Sequence, residues 1–211
     1  MPYSQFQSIA EVQELFGLHL DVTLNCGAVP RVEPSALLTQ SVRQNLPLAL
    51  GGGTEKARSE FLVAPILSEV WECEDHSIAV FSGAEFNVEP ARGLSGACDF
   101  IISRSRDFAA IRAPVLMVVE AKRDDLDRAA GQCAAELVAA HQFNAARGDP
   151  PGPVWGAATT GTVWRFLRIE GSTLSVEYRE YYIGDLPQLL GILLHIVAAP
   201  VTPPTTGESR S

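Results

Sequence analysis

The sequence predicts a mixed α/β (α+β) fold, a central mixed sheet with helices packed on it. Three short apolar runs of strand-like period follow one another between residues 76 and 122. An alanine-rich helical stretch with acids at its start comes directly after them, and strand-like runs return between residues 153 and 182. Strands, one long helix and strands again, with helical patterns at both flanks, imply helices covering a sheet.

Taken in order, "SIAEVQELFGL" (8–18) has the apolar spacing of a short helix, with Ser8 as N-cap and Gly17 as its stop. A second helix runs through "PSALLTQSVRQNLPLAL" (34–50), and the glycines at 51–53 end it. "TEKARSEFLVAPILSEVWE" (54–72) reads as a long helix that Pro65 bends. "HSIAVFSGAEFNVE", "GACDFIISRS" and "APVLMVVEAK" then form an antiparallel meander. The stretch from Arg123 to Arg147 is the strongest helix, acids first and Arg147 last, as the helix dipole favours. "PVWGAATTGTVWRFLRIEGSTLSVEYREYY" returns to strands, with "EGS" as a turn between "TVWRFLRI" and "TLSVEYRE". "LPQLLGILLHIVAA" closes the chain as a helix, and the tail 200–211 is expected to be disordered. The expected organisation is a helical extension over 1–53 packed on the core, a domain over 54–199, and the tail.

With 211 residues, 46% of them hydrophobic, the chain can bury a full core. It has no apolar run long enough to span a bilayer and no basic-then-apolar leader, so a cytoplasmic home without membrane contact is expected. Four scattered cysteines lack a C-x-x-C pair, which argues against zinc and against a disulfide framework; Cys98 and Cys133 read as buried thiols. The net charge of −9 opposes bulk electrostatic attraction to phosphates. Arg104, Arg106, Arg112, Lys122, Arg123 and Arg128 nonetheless cluster in sequence around "VVEAK", where a local basic rim is expected.

Side chains alternate across a strand, so Glu120 and Lys122 share a face with Val118. If 97–103 and 115–122 pair as an antiparallel hairpin, Asp99 lands beside Glu120. Two carboxylates and an ammonium at the end of apolar strands are costly to bury without use. On the bent helix, Glu60 falls on the face of Val63, Ala64, Leu67, Val70 and Trp71, whereas Glu55 has the company of a surface acid. Both are candidates, and Glu60 ranks first. Taken singly, each acid has an ordinary explanation: a same-face ion pair for Glu120 and Lys122, a strand-edge hydrogen bond for Asp99, an outward-reaching side chain for Glu60. Gln132 reads first as an exposed helix residue and second as a contact to the site, and the four histidines show no ligand spacing.

A helix bearing Glu, then "GACDFII", then "VVEAK", then a helix, resembles the PD-(D/E)XK nuclease superfamily. Within it, the chain is similar to the nuclease domains at the N-termini of type I restriction enzyme R-subunits. The resemblance covers residues 54–170 and implies a restriction-endonuclease-like αβββαβ core. It carries the motif acid onto Asp99, the second metal-binding acid onto Glu120, the lysine onto Lys122 and the helix acid onto Glu60, with the carbonyl of Ala121 as a further ligand. It implies a Mg²⁺- or Mn²⁺-dependent nuclease acting on nucleic acid, DNA first, because hard divalent ions choose carboxylate oxygens. Lys56 and Lys122 are the chain's only lysines, which fits a selected compact charge at Lys122. The sequence departs from the pattern where Cys98 stands before the Asp, in its acidic charge, and in "GQCAAE", which sets Gln132 and Glu136 where some exonuclease branches have Gln and Tyr. A second reading is a catalytically silent module with a protein partner. A homodimer suits either, and the apolar closing helix is the expected interface.

Overall fold

The computed structural model describes residues 2–148 and 152–198; the tail 200–211 lies outside them. The expected elements form, with two short additions. Helix α1 (Ile9–Phe16) starts at Ser8, whose hydroxyl accepts from Glu11 N, and stops at Gly17 in the left-handed region. Helix α2 (Ala36–Gly51) starts at Ser35. The bent helix is α3 (Glu55–Arg58), a π turn (Ser59–Val63) and α4 (Ala64–Cys73) in unbroken succession. Pro65 has no N–H to give to Phe61 O; Asn45 Nδ2 supplies that donor at 3.2 Å. The disturbance that Pro65 causes therefore appears upstream of it, as an extra residue wound into the helix.

Strands β2 (Ala79–Glu85), β3 (Ala97–Ser103) and β4 (Val115–Ala121) form the antiparallel meander. Helix α5 (Leu126–Ala145) then returns the chain so that β5 (Val154–Thr159) pairs parallel with β4. β6 (Val163–Glu170) and β7 (Thr173–Val176) follow antiparallel, β8 (Tyr181–Tyr182) caps β6, and α6 (Leu186–Ala198) ends the described chain. The pattern does not reveal β1 (His19–Asp21), three residues that pair parallel with β7. The extension thus adds a strand as well as helices. The sheet has eight strands, in the order β1-β7-β6-β5-β4-β3-β2, with β8 off that path.

β4 is buried over its whole length, which is why it reads as an unbroken apolar run. One face of the sheet packs on α5; the other packs on α2, the π turn, α4 and α6. Residues Ala129 to Ala140 of α5 are all buried, because the N-terminal segment with Tyr3, Phe6 and Val12 covers the side turned away from the sheet. Helix α6 places Leu189, Leu190, Ile192, Leu193, Ile196 and Val197 in the core. Its apolarity is spent within the fold, which removes the reason for expecting an interface there.

Asn144, near the end of α5, holds the start of β4: its Oδ1 accepts from Val115 N and its Nδ2 donates to Val115 O, both at 2.8 Å. Asn144→Ala is expected to leave both buried backbone groups without these partners and to cost about 2 kcal/mol. Denaturant melts read this directly, and an unchanged midpoint would show that the clamp contributes nothing.

Candidate active site

The register that pairs Phe100 with Val119 sets Asp99 opposite Glu120, as the hairpin predicts. Glu120 is 1% exposed. Lys122 Nζ lies against Glu120 Oε1 and donates to Glu55 Oε1 at 3.2 Å and to Ala121 O at 3.4 Å. Asp99 Oδ2 accepts from Ala121 N at 2.8 Å, which locks its carboxylate to the strand that carries Glu120. Lys122 N in turn donates to Thr159 O at 2.8 Å, extending the β4–β5 ladder past the end of β4. Gly83 lies across from Asp99, between the pairs Ser82–Phe100 and Ala84–Cys98, and its φ of +62° is one that side chains other than glycine's rarely accept. No side chain therefore covers Asp99 from β2, and a cleft lined by Glu55, Ser59, Glu60, Ser82 and Gly83 opens over it.

The helix acid in the cluster is Glu55, a correction to the ranking. Glu60 is 57% exposed, pairs with Lys56 at 3.6 Å and sits on the rim of the cleft. The reason is the π turn. One extra residue shifts the helical phase by about 100°, so a wheel drawn backwards from Val70 and Leu67 misplaces everything before Ser59. With that shift Glu55 comes round to the side of Val63, and Glu60 turns out.

Gln132 is buried rather than exposed, because α5 is covered on both sides. Its Nε2 donates to Glu136 Oε1 at 3.2 Å. Glu136 is fully buried, and its Oε2, like Oε2 of Glu120, has no hydrogen-bond partner among the described residues. Burial first, then the Glu120 charge, hold the Glu136 carboxyl well above the ordinary range. Burial, reinforced by Asp99, pushes Glu120 from its usual 4.5 to about 7, against the pull of Lys122. Asp99 is raised by burial, less strongly because Ala121 N and Lys122 oppose it. For Lys122 burial acts downward, but Glu120 and Glu55 together carry the ammonium above its usual value. Polar residues four apart among alanines were the sequence signal for Gln132 and Glu136.

The expected basic rim does not form. β3 and β4 are seven residues each, roughly 20 Å, and Arg104 and Arg112 lie where the connecting loop meets the strand ends away from Asp99 and Lys122, while the middle of that loop returns along β2, where Phe108 meets Phe81 at 6.3 Å. Arg104 pairs with Glu74 and Arg112 with Asp107. Near the cluster, Arg58 reaches Thr160 O at 2.9 Å and Asp124 at 3.8 Å, and Arg123 pairs with Asp124.

Among the described residues no group of three or more His, Cys, Asp or Glu is arranged to enclose a metal ion. The site offers two carboxylates beside a strand carbonyl, which is the donor set Mg²⁺ takes when water and a phosphate complete its shell. Oε2 of Glu120, buried without an acceptor's partner when ionised, is the observation that fits a cation there. All four cysteines are free. No helix among the described residues is long and apolar enough to cross a membrane.

No family model matches the chain, and no curated protein matches it. Among solved structures, it is similar to a DrdV–DNA complex seen by cryo-electron microscopy, with a TM-score of 0.42 and 16% identity. The match covers 79% of this chain and 14% of that one, so the chain spans a small part of the protein it matches.

Proposed function

We propose that the chain is a nuclease of the PD-(D/E)XK type that hydrolyses phosphodiester bonds of nucleic acid, DNA first, with Mg²⁺ or Mn²⁺. The observation that carries this reading is the gathering of Asp99, Glu120 and Lys122 at one end of β4 under an open cleft. Asp99, Glu120 and Glu55 gather about one ammonium, an excess of negative charge that favours a cation. Asp99, Glu120 and the Ala121 carbonyl would hold it. A divalent ion so bound neutralises phosphate charge and lowers the pKa of a water molecule. Lys122, tethered to Glu55, would orient the attacking water and balance charge developing on the phosphate oxygens. Glu55 keeps the ammonium in the cleft.

A second reading, a silent module that binds a partner protein, draws on the missing basic rim and the net charge of −9. Incubation of single- and double-stranded DNA and of RNA with wild type, Asp99→Ala and Lys122→Ala, each with Mg²⁺ or Mn²⁺, separates the two. Metal-dependent cutting by wild type alone, with all three proteins folded by circular dichroism, is the expected result. Equal cutting by all three, or none by any, would sink the nuclease reading.

A further inference from the structure

A groove of about 510 Å³ runs between α4 and the edge strand β2, walled by Leu67, Trp71, Val80 and Phe100 and closed at its outer end by Phe108. Ser82 lines both this groove and the cleft over Asp99, so the two adjoin at that residue. We propose that the groove seats the base of a nucleotide whose phosphate lies at Asp99, which makes it a nucleobase subsite. The inference rests on the phosphodiesterase reading above.

The chemistry of the two ends selects the occupant. At the carboxylate end a ligand must present an anion shared with a cation; one step along the helix it must present a flat apolar surface. Trp71 is stacked on His76 with ring centres 3.8 Å apart, which fixes the plane of the indole. Phe108 meets Trp71 edge-on at 6.4 Å and is 54% exposed, an aromatic ring left at the mouth of the groove with one side in water. Stacking a base on such rings is sequence-tolerant, because every base has a π face. A peptide adding to the β2 edge fits less well, since the positive φ of Gly83 interrupts the strand where the two cavities join. A double helix would hold its bases in the stack, so the subsite favours single-stranded or unpaired nucleotides.

The test uses the full chain with Mn²⁺ and short single-stranded oligonucleotides in which one abasic residue is moved across the cleaved position. Loss of the base at one position beside the cut phosphate is expected to lower kcat/KM about tenfold in wild type and little in Phe108→Ala. Cutting that is indifferent to the abasic residue at every position would overturn the subsite and leave the nuclease reading intact. A second measurement stands without cleavage: indole emission titrated with thymidine monophosphate and with deoxyribose 5-phosphate. Quenching by the nucleotide, absent with the sugar phosphate and absent in Trp71→Phe, supports the subsite even if no substrate is cut; equal responses to both ligands overturn it.

Discussion

Glu120→Gln is expected to reduce hydrolysis by about 10²–10³-fold while making the protein more stable. The carboxylate is buried next to Asp99 and Glu136, and Lys122 satisfies only one of its oxygens. An amide has the same shape and no charge, and Lys122 keeps Glu55. Relief of that burial is worth about 1–2 kcal/mol, or roughly 2–8 °C in Tm for a chain of this size. The pH dependence follows from the direction of the shift. A carboxyl raised in the folded state binds its proton more tightly there than in the unfolded chain, so its stabilising contribution is complete below about 4.5 and is lost as pH rises through about 7. The margin of the variant over wild type should therefore widen between pH 5 and pH 8 when no divalent ion is present, and adding Mn²⁺ at pH 8 should narrow it. A variant less stable than wild type at pH 8 would mean that the charge is better compensated than the geometry allows.

Gly131→Ala is expected to be among the most damaging single-methyl changes. A Cβ at Gly131 would lie 2.6 Å from Ser8 N, 2.8 Å from Ser8 Cα and 2.9 Å from the carbonyl carbon of Gln7, all backbone. No side chain can swing aside. Ser8 is also the N-cap of α1, and Gln7 N donates to Glu11 Oε2 at 2.8 Å, so displacing this corner loosens the start of α1 as well. The cost is about 3 kcal/mol, roughly 6–12 °C in Tm. Gly51→Ala is the control: it sits at the exposed end of α2 with open space around it, and alanine there should be neutral or slightly stabilising. Equal melting of Gly131→Ala and wild type would show that the N-terminal segment does not rest on α5 as described.

The path from sequence to site was legible where periods were clean. The two-residue period of β3 and β4 was enough to bring Asp99 to Glu120, because register in a short hairpin leaves little freedom. Glu55 was misread because the 3.6-residue period fails across the π turn, and nothing but Pro65 hints at that turn. Gln132 was misread for a different reason: a helix with alanine on every side gives no signal of how many neighbours will cover it. The basic rim failed because nearness in sequence is not nearness in space when a whole strand intervenes. β1 is three residues long and takes its pairing entirely from β7, so no local pattern marks it.

The charge cluster draws on both layers that sandwich the sheet. Glu55 comes from the helices on one face, Glu136 from α5 on the other, and Lys122 is anchored through its N–H to Thr159 on a strand that follows α5. These pieces lie up to about a hundred residues apart, and contacts of that span form late as a chain is made and compacts. A chain released before α5 is made, or opened on one face, would hold Asp99, Glu120 and Lys122 without Glu136 or without Glu55 beside them. Under the proposed nuclease reading, that arrangement would tie activity to completed folding.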